Sequence, residues 1–309
     1  MFFRFILAIL VVCSGLSAES SAAKSSKKIS IDRALLKRKP PVGVLPSYRV
    51  LKNPSYHPGF FSALFTVIGF LDDFTKEKWL GIVIDFENQG SYYEPTKGLN
   101  WWHYYFKPVS DKPVGLYEEL CVVEDLKMSY GFNTLFRSRA EVYQTIQKYI
   151  RPNETVSCEV EYFAGTNFNH EFVIGVNYLR PEKANNGNKT PSFQSFYDKI
   201  DFIAKEQNLH DYKIYASTDD ATFLAELLEK YGSKIAYRDI PRGDEVVPLA
   251  YESATPNYDR GFDEIVDCLL LAKCDVVVRT NTNITTAASF FNPDLKLVTI
   301  KSLVVPRRN

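Results

Sequence analysis

The sequence predicts an α/β protein made of two units of parallel sheet that face one another across a cleft. Three observations predict it. Short apolar runs such as Leu80–Phe86 suit strands buried on both faces. Segments with helical apolar spacing lie between such runs, and from Glu171 onward strand-like and helix-like segments alternate regularly. A parallel crossover needs a covering helix, so this alternation argues for doubly wound sheets, one over residues 42–165 and one over residues 166–305.

Ahead of both units, MFFRFILAILVVCSGLSA places Arg4 before an apolar run from Phe5 to Cys13, followed by Ser14, Gly15, Ser17 and Ala18. This is the layout of a secretory signal peptide over residues 1–18, implying export to a periplasmic, luminal or extracellular space. The alternative is an N-terminal membrane anchor, although the run is shorter than the roughly 20 residues a bilayer crossing needs. Val12 is bulkier than the small residue that lipoprotein cleavage before Cys13 wants. Residues 19–41, rich in Ser, Ala and Lys, read as a flexible tether.

In the first unit, Ser47–Leu51 reads as a strand and Asn53, Pro54 and Pro58 as a turn. GFFSALFTVIGFLDDF then sets Phe61, Leu64, Phe65, Ile68 and Leu71 at helical spacing, and the run LGIVIDF closes a β-α-β beginning. Asn88–Pro108, ending in NWWHYYFKP, reads as packed loop, with Trp101 and Trp102 in a core and Tyr92 and Tyr93 either core or sugar-stacking surface. The second unit reads as strand EFVIGVNYL, helix Pro191–Gln207, strand YKIYAST, helix Ala221–Tyr231 closed by Gly232, and strand KIAYRD. After a long loop come helix GFDEIVDCLLLAKC, strand DVVVRT, helix Thr282–Phe291 stopped by Asn292-Pro293, and strand KLVTI.

Composition narrows the partners. Lys plus Arg equals Asp plus Glu at 37 each among 309 residues, so no global field favours nucleic acid or an anionic membrane. The four histidines are scattered and no His or Cys pair has zinc-ligand spacing, so no metal site is expected. Of the cysteines beyond Cys13, Cys121 and Cys158 are compatible with a disulfide in an oxidising compartment, or all four are free thiols. Asn153, Asn188 and Asn283 match the glycosylation acceptor pattern, at Asn283 in conflict with the phosphate pocket described next.

In open parallel sheets ligands collect beyond the carboxyl ends of the strands. Those ends nominate Arg180, Glu182 and Lys183; Asp219 and Asp220; and Arg279, Thr280, Asn281, Thr282, Asn283, Thr285 and Thr286. A helix opening TNITT offers backbone N–H groups and a positive dipole end that suit a phosphate, or its hydroxyls simply cap it. Arg180 can clamp a diphosphate bidentately or pair with Glu182 or Asp219. Asp267, in an apolar helix beside Asp263, faces either solvent or the cleft, where it would accept hydrogen bonds from a base. Gly59-Phe60, between first strand and first helix, would let backbone approach a phosphate. Neither a G-x-S-x-G elbow, a Walker A loop, a full G-x-G-x-x-G fingerprint nor an Asp-x-Asp pair occurs, which argues against hydrolase, NTPase, dinucleotide and metal-held donor chemistry.

The block GFDEIVDCLLLAKCDVVVRTNTNITTAASFFNP, with IYASTDD and IGVNYLRPEK upstream, resembles the nodulation and α-1,6-fucosyltransferase-like family. HPGFFSALF, VIDF and NWWHYYFKP extend the resemblance into the first unit. It implies a GT-B arrangement of two Rossmann-like domains, the first on the acceptor side and the second holding the nucleotide sugar. It also implies metal-independent, inverting transfer from GDP-fucose to a glycan acceptor, with no cofactor. The family's His-x-Arg-Arg-Thr-Asp-type motif falls on Asn177–Glu182, so Asn177 replaces the His, Leu179 the first Arg, and Arg180 alone keeps an arginine. By the same matching Asp219 and Asp220 take the family's acidic pair, Asp267 the base-recognising acid, and Thr282 with Asn283 the phosphate loop. Glu182, Asp219 and Asp220 are alternative general bases, and Arg279 a replacement cation. Losing an arginine from a diphosphate site removes charge that the leaving group needs. The alternative is therefore a catalytically decayed nucleotide-sugar or glycan-binding protein of the same fold. A plainer one is a secreted α/β protein whose strand-end polar groups only cap and pack.

Overall fold

The computed structural model describes residues 48–52, 59–75, 81–87, 90–110, 121–125, 127–169, 171–179, 191–243 and 257–300. The expected signal peptide and tether lie outside the described residues. Among those described, no helix is long and apolar enough to cross a membrane.

Strand β1 (Tyr48–Lys52), helix α1 (Phe60–Thr75) and strand β2 (Gly81–Asp85) form the expected β-α-β opening. The aromatic stretch folds into short 3₁₀ turns, Pro95–Lys97 and Trp101–Tyr104, before strand β3 (Cys121–Asp125). These strands make a parallel sheet in the order β2-β1-β3, in which Lys52 pairs in register with both Asp85 and Asp125 at the carboxyl edge.

Three helices follow that hydrophobic spacing did not reveal: α2 (Met128–Leu135), α3 (Arg139–Tyr149) and α4 (Glu154–Asn167). The signals for α3 and α4 were local. Ser138 and Glu141 form a reciprocal capping box on α3, and Asn153 caps α4 by accepting from the Val156 amide at 3.0 Å. Burying only Val142, Thr145 and Ile146 on α3, and Val156 and Val160 on α4, leaves an apolar stripe too thin for a periodicity test.

The remaining chain runs β4 (Phe172–Tyr178), α5 (Phe193–Glu206), β5 (Tyr212–Thr218), α6 (Ala221–Tyr231), β6 (Ile235–Ala236), α7 (Asn257–Ala272), β7 (Val276–Arg279), α8 (Asn283–Phe291) and β8 (Lys296–Thr299). Its parallel sheet has the order β6-β5-β4-β7-β8, so the chain winds outward from β4 in one direction and then returns to the other side. KIAYRD, expected as a full strand, keeps only Ile235–Ala236 in the sheet. The reason is Arg238, which turns inward toward α7 while its carbonyl accepts from Arg242 Nη2 at 2.7 Å.

One continuous core lies between the two sheets. It takes in α1, the aromatic turns, α3, α4 and the inner faces of α7 and α8. Helix α1 is apolar on nearly every side because it is enclosed on nearly every side. Trp101 and Trp102 are core residues as expected, and Tyr92 joins them. A second cluster packs α5 and α6 on the opposite face of the five-stranded sheet, completing the doubly wound arrangement. Cys158 is an exposed free thiol and Cys268 and Cys274 are buried free thiols, so the pairing of Cys158 with Cys121 is not formed.

Helix α7 approaches the aromatic turns closely at Gly261, where an added Cβ would overlap the Tyr105 hydroxyl. That hydroxyl donates to the Tyr258 carbonyl at 3.0 Å, and the Tyr105 and Tyr258 rings stack. Gly261→Ala is expected to lower stability by about 1–3 kcal/mol in urea denaturation through overpacking, despite alanine's better helix propensity. An unchanged or raised midpoint would contradict this close approach.

Candidate functional site

Strand order reverses between β4 and β7, and a reversal opens a crevice because the connecting helices leave on opposite faces. Asn177 on β4 and Arg279 on β7 are register partners at its mouth. Asn177 is buried; its Nδ2 donates to the Ser217 carbonyl at 3.1 Å and its carbonyl accepts from the Thr280 amide at 3.1 Å. Its Oδ1 accepts from the Thr282 hydroxyl at 2.9 Å. Thr282 is the N-cap residue of α8, yet its side chain makes no capping bond to the helix. The hydroxyl is shared between Asn177 and, at 3.0 Å, the Thr285 hydroxyl, which leaves the amides at the start of α8 without the side-chain partner a capping Thr supplies.

Arg279 backs this turn. Its Nη1 donates to the hydroxyls of Thr285 at 2.8 Å and Thr286 at 3.3 Å, and its Nε to that of Thr299 at 3.3 Å. Among the described residues no carboxylate pairs with it. Burial lowers its pKa from the usual arginine value and the nearby Arg139 adds to the effect, so among the described residues this cation stands beside a helix N-terminus with no carboxylate to offset it. The Thr280 hydroxyl is buried with no hydrogen-bond partner among the described residues.

The first turn of α1 meets this turn from the other side. Asn283 Nδ2 donates to Ser62 Oγ at 3.2 Å, bringing the starts of α1 and α8 together. The Phe60 amide donates to the Tyr92 hydroxyl at 2.9 Å, which donates to Glu264 on α7 at 3.0 Å. Phe60 itself is buried in the aromatic core, where its ring meets Tyr92, Trp101 and Tyr105, and with its amide taken by Tyr92 it offers no group to the crevice. Gly59 is exposed, and among the described residues other than its chain neighbours no atom lies within 4 Å of the place a Cβ would occupy.

The acids take different positions from those expected. Asp220 caps α6, accepting from the Phe223 amide at 2.8 Å, while Asp219 sits half-buried at the end of β5 and holds the Gly243 amide through its carbonyl. Asp267 faces neither solvent nor cleft. At 7% exposure its Oδ1 accepts from the Tyr215 hydroxyl at 2.8 Å and from Arg238 at 3.3 Å, while Asp263 takes the same guanidinium at 2.8 Å. Asp267 thus belongs with Asp263 to an ion cluster centred on Arg238. Sequence could have suggested it only by pairing Asp263 and Asp267 with the distant Arg238, and spacing carries no such information. Burial pushes the Asp263 pKa up to about 6 against the pull of Arg238. Arg180 and Glu182 lie outside the described residues, just beyond the end of β4. No group of three or more His, Cys, Asp or Glu placed to hold a metal is found among the described residues.

No protein-family profile matches the chain, and no curated protein matches its sequence. Solved structures do. The fucosyltransferase NodZ from Bradyrhizobium superposes with a TM-score of 0.53 at 16% identity, covering 82% of this chain and 94% of that one. NodZ α-1,6-fucosyltransferase soaked with GDP-fucose gives 0.52 at 16% identity over 79% of this chain and 92% of that one. POFUT1 in complex with GDP gives 0.51 at 10% identity over 83% of this chain and the whole, 100%, of that one. The fold is therefore that of the fucosyltransferase-like GT-B proteins, with two Rossmann-like domains facing a cleft.

Removing the cation from the buried cluster tests its structural role. Arg238→Leu strands the buried Asp267 carboxylate and the half-buried Asp263 carboxylate and should cost about 3–5 kcal/mol at pH 7. A carboxyl group raised above its unfolded value contributes stability at low pH and loses it as the pH climbs through the folded pKa, near 6 for Asp263 even with its partner present. The deficit of the variant should therefore shrink by pH 5. Thermal melts showing an equal deficit at both pH values would contradict the arrangement.

Proposed function

We propose that this protein is a glycosyltransferase that moves a sugar, fucose, from GDP-fucose to a hydroxyl of a glycan acceptor, with inversion at the sugar carbon and without a metal. The observation that carries the proposal is the crevice between β4 and β7, where a helix start whose cap hydroxyl is turned away adjoins an arginine with no carboxylate partner among the described residues. Backbone amides and fixed positive charge are what a departing diphosphate requires, and a preformed set needs no reorganisation as charge develops. The fold is shared with proteins crystallised with GDP or GDP-fucose, which supports the choice of donor.

In this reading the amides of Asn283 and its neighbours and the Thr280 hydroxyl receive the diphosphate, with Arg279 behind them. Arg180, just beyond β4, supplies the clamp that accompanies the leaving group. Open space beside Gly59 admits the donor from the first domain's side. Asp220 is engaged as a helix cap, which leaves Glu182 and Asp219 as acids on the donor's side. Asp267 supports the domain from within and does not read the base. Export ahead of residue 19 is part of the same proposal, since glycan acceptors of this kind are met outside the cytosol.

A binding protein that has lost turnover is the second reading. Asn177 favours it, because its side chain is locked between Ser217 and Thr282 and has no proton to shuttle.

Isothermal calorimetry with GDP tests the site. The wild type should bind, and Thr282→Val and Arg279→Leu should each weaken binding about tenfold to a hundredfold, the range for hydrogen bonds involving charged groups. Absence of binding at about millimolar GDP would remove the donor assignment. Release of GDP from GDP-fucose in the presence of glycans separates the transferase from the binding protein, which would bind GDP and release none.

A further inference from the structure

In the proposed reading the acids considered so far all belong to the donor's domain, and the other side of the cleft is formed by the first unit. The three-stranded sheet presents its own groups there. Its carboxyl edge lies on the cleft side, because β1 leads toward the start of α1, and Ser62 in the first turn of α1 contacts Asn283. At that edge β1 and β2 end side by side in Lys52 and Asp85, joined by an ion pair of 3.4 Å. Asp85 is 7% exposed, and its Oδ1 is buried with no hydrogen-bond partner among the described residues. A buried carboxylate oxygen left this way is costly unless the site needs its charge.

Two accessible groups stand around it. Glu87, two residues past Asp85 on an extended chain, falls on the same face and is exposed. His103 is brought to the same edge by an asparagine clamp. Asn100 Oδ1 accepts from the amides of Phe86 at 3.2 Å and Trp102 at 3.1 Å, while its Nδ2 donates to the Ile84 carbonyl at 2.7 Å. The turn thus pressed against the end of β2 buries Trp101, Trp102 and Tyr104 and leaves His103 exposed. Burial first, then Asp85, raises the Glu87 pKa, with Lys52 opposing; burial lowers that of His103, with Asp85 opposing.

We infer that Glu87 and His103 form the acceptor subsite of the proposed transferase, Glu87 receiving the proton of the attacking hydroxyl and His103 hydrogen-bonding a neighbouring hydroxyl of a neutral glycan. Asp85, fixed by Lys52, is the positioning residue whose charge makes Glu87 a stronger base. The inference rests on the transferase reading above. In the step, the acceptor oxygen bonds to the anomeric carbon, the bond from that carbon to the diphosphate oxygen breaks, and its electron pair leaves on the diphosphate. The acceptor proton passes to the Glu87 carboxylate.

The test uses the full chain, GDP-fucose and a set of neutral oligosaccharides, with water as a control acceptor, beside calorimetry with GDP. Glu87→Gln, an exposed isosteric change, should reduce GDP release by about 100-fold or more, the usual scale of general-base loss, with GDP affinity unchanged. Asp85→Asn should move the acidic limb of the kcat/KM profile to lower pH, since removing the neighbouring negative charge lowers the Glu87 pKa; a purely structural Asp85 would not move that limb. His103→Ala should raise the saccharide KM more than it lowers kcat. Release by Glu87→Gln within about threefold of wild type, in protein that binds GDP, overturns the inference. Wild type that binds no GDP overturns the nucleotide reading instead.

Discussion

The hydrogen bond from Thr282 to Asn177 is the constraint on which the rest of the site depends. It ties the N-cap of α8 to the end of β4, across the point where strand order reverses. A threonine at an N-cap ordinarily satisfies its own helix, worth roughly 1 kcal/mol. Here that contribution is given up locally in exchange for a fixed relation between two loops distant in sequence. The same bond explains why an asparagine suits position 177, since its amide bridges Ser217 on β5 and Thr282 ahead of α8 at once.

Around that lock the molecule separates stiffness from chemistry. The shared core between the sheets, with Tyr105 against α7 and the Tyr92 link from Phe60 to Glu264, holds the two domains in one relation. The Arg238 cluster secures α7 to β5 from inside the second domain. Such buried ion clusters contribute little net stability against a well-packed apolar alternative, but they punish misplacement, because either carboxylate left alone in the interior is expensive. The strand-end groups facing the cleft are therefore set on elements that have little freedom to move.

Much of the second domain was legible in the sequence because its strands and helices carry strong, regular periodicity. YKIYAST and the helix from Ala221 to Tyr231, closed by Gly232 in a left-handed conformation, stand as read. The helices α3 and α4 were not, because their apolar stripes are thin and only the caps Ser138 and Asn153 announce them. For the site, the start of α8 and Arg279 could be nominated from strand ends alone, whereas the roles of Asp220 and Asp267 could not. A capping aspartate and a buried one look alike in sequence, and what separates them is a partner such as Arg238 that only the fold supplies. Glu87 and His103 escaped for a related reason, since nothing in spacing says that Asn100 folds the aromatic turn back onto β2.

The central claim is that the crevice between β4 and β7 holds a nucleotide diphosphate at the start of α8. A crystal structure of the protein with GDP addresses it directly. The account predicts the diphosphate within hydrogen-bonding distance of the first amides of α8 and the Thr280 hydroxyl, with Arg180 closing over it. GDP seated elsewhere, with those amides facing only solvent and Arg180 turned to the far side of the sheet, would contradict it.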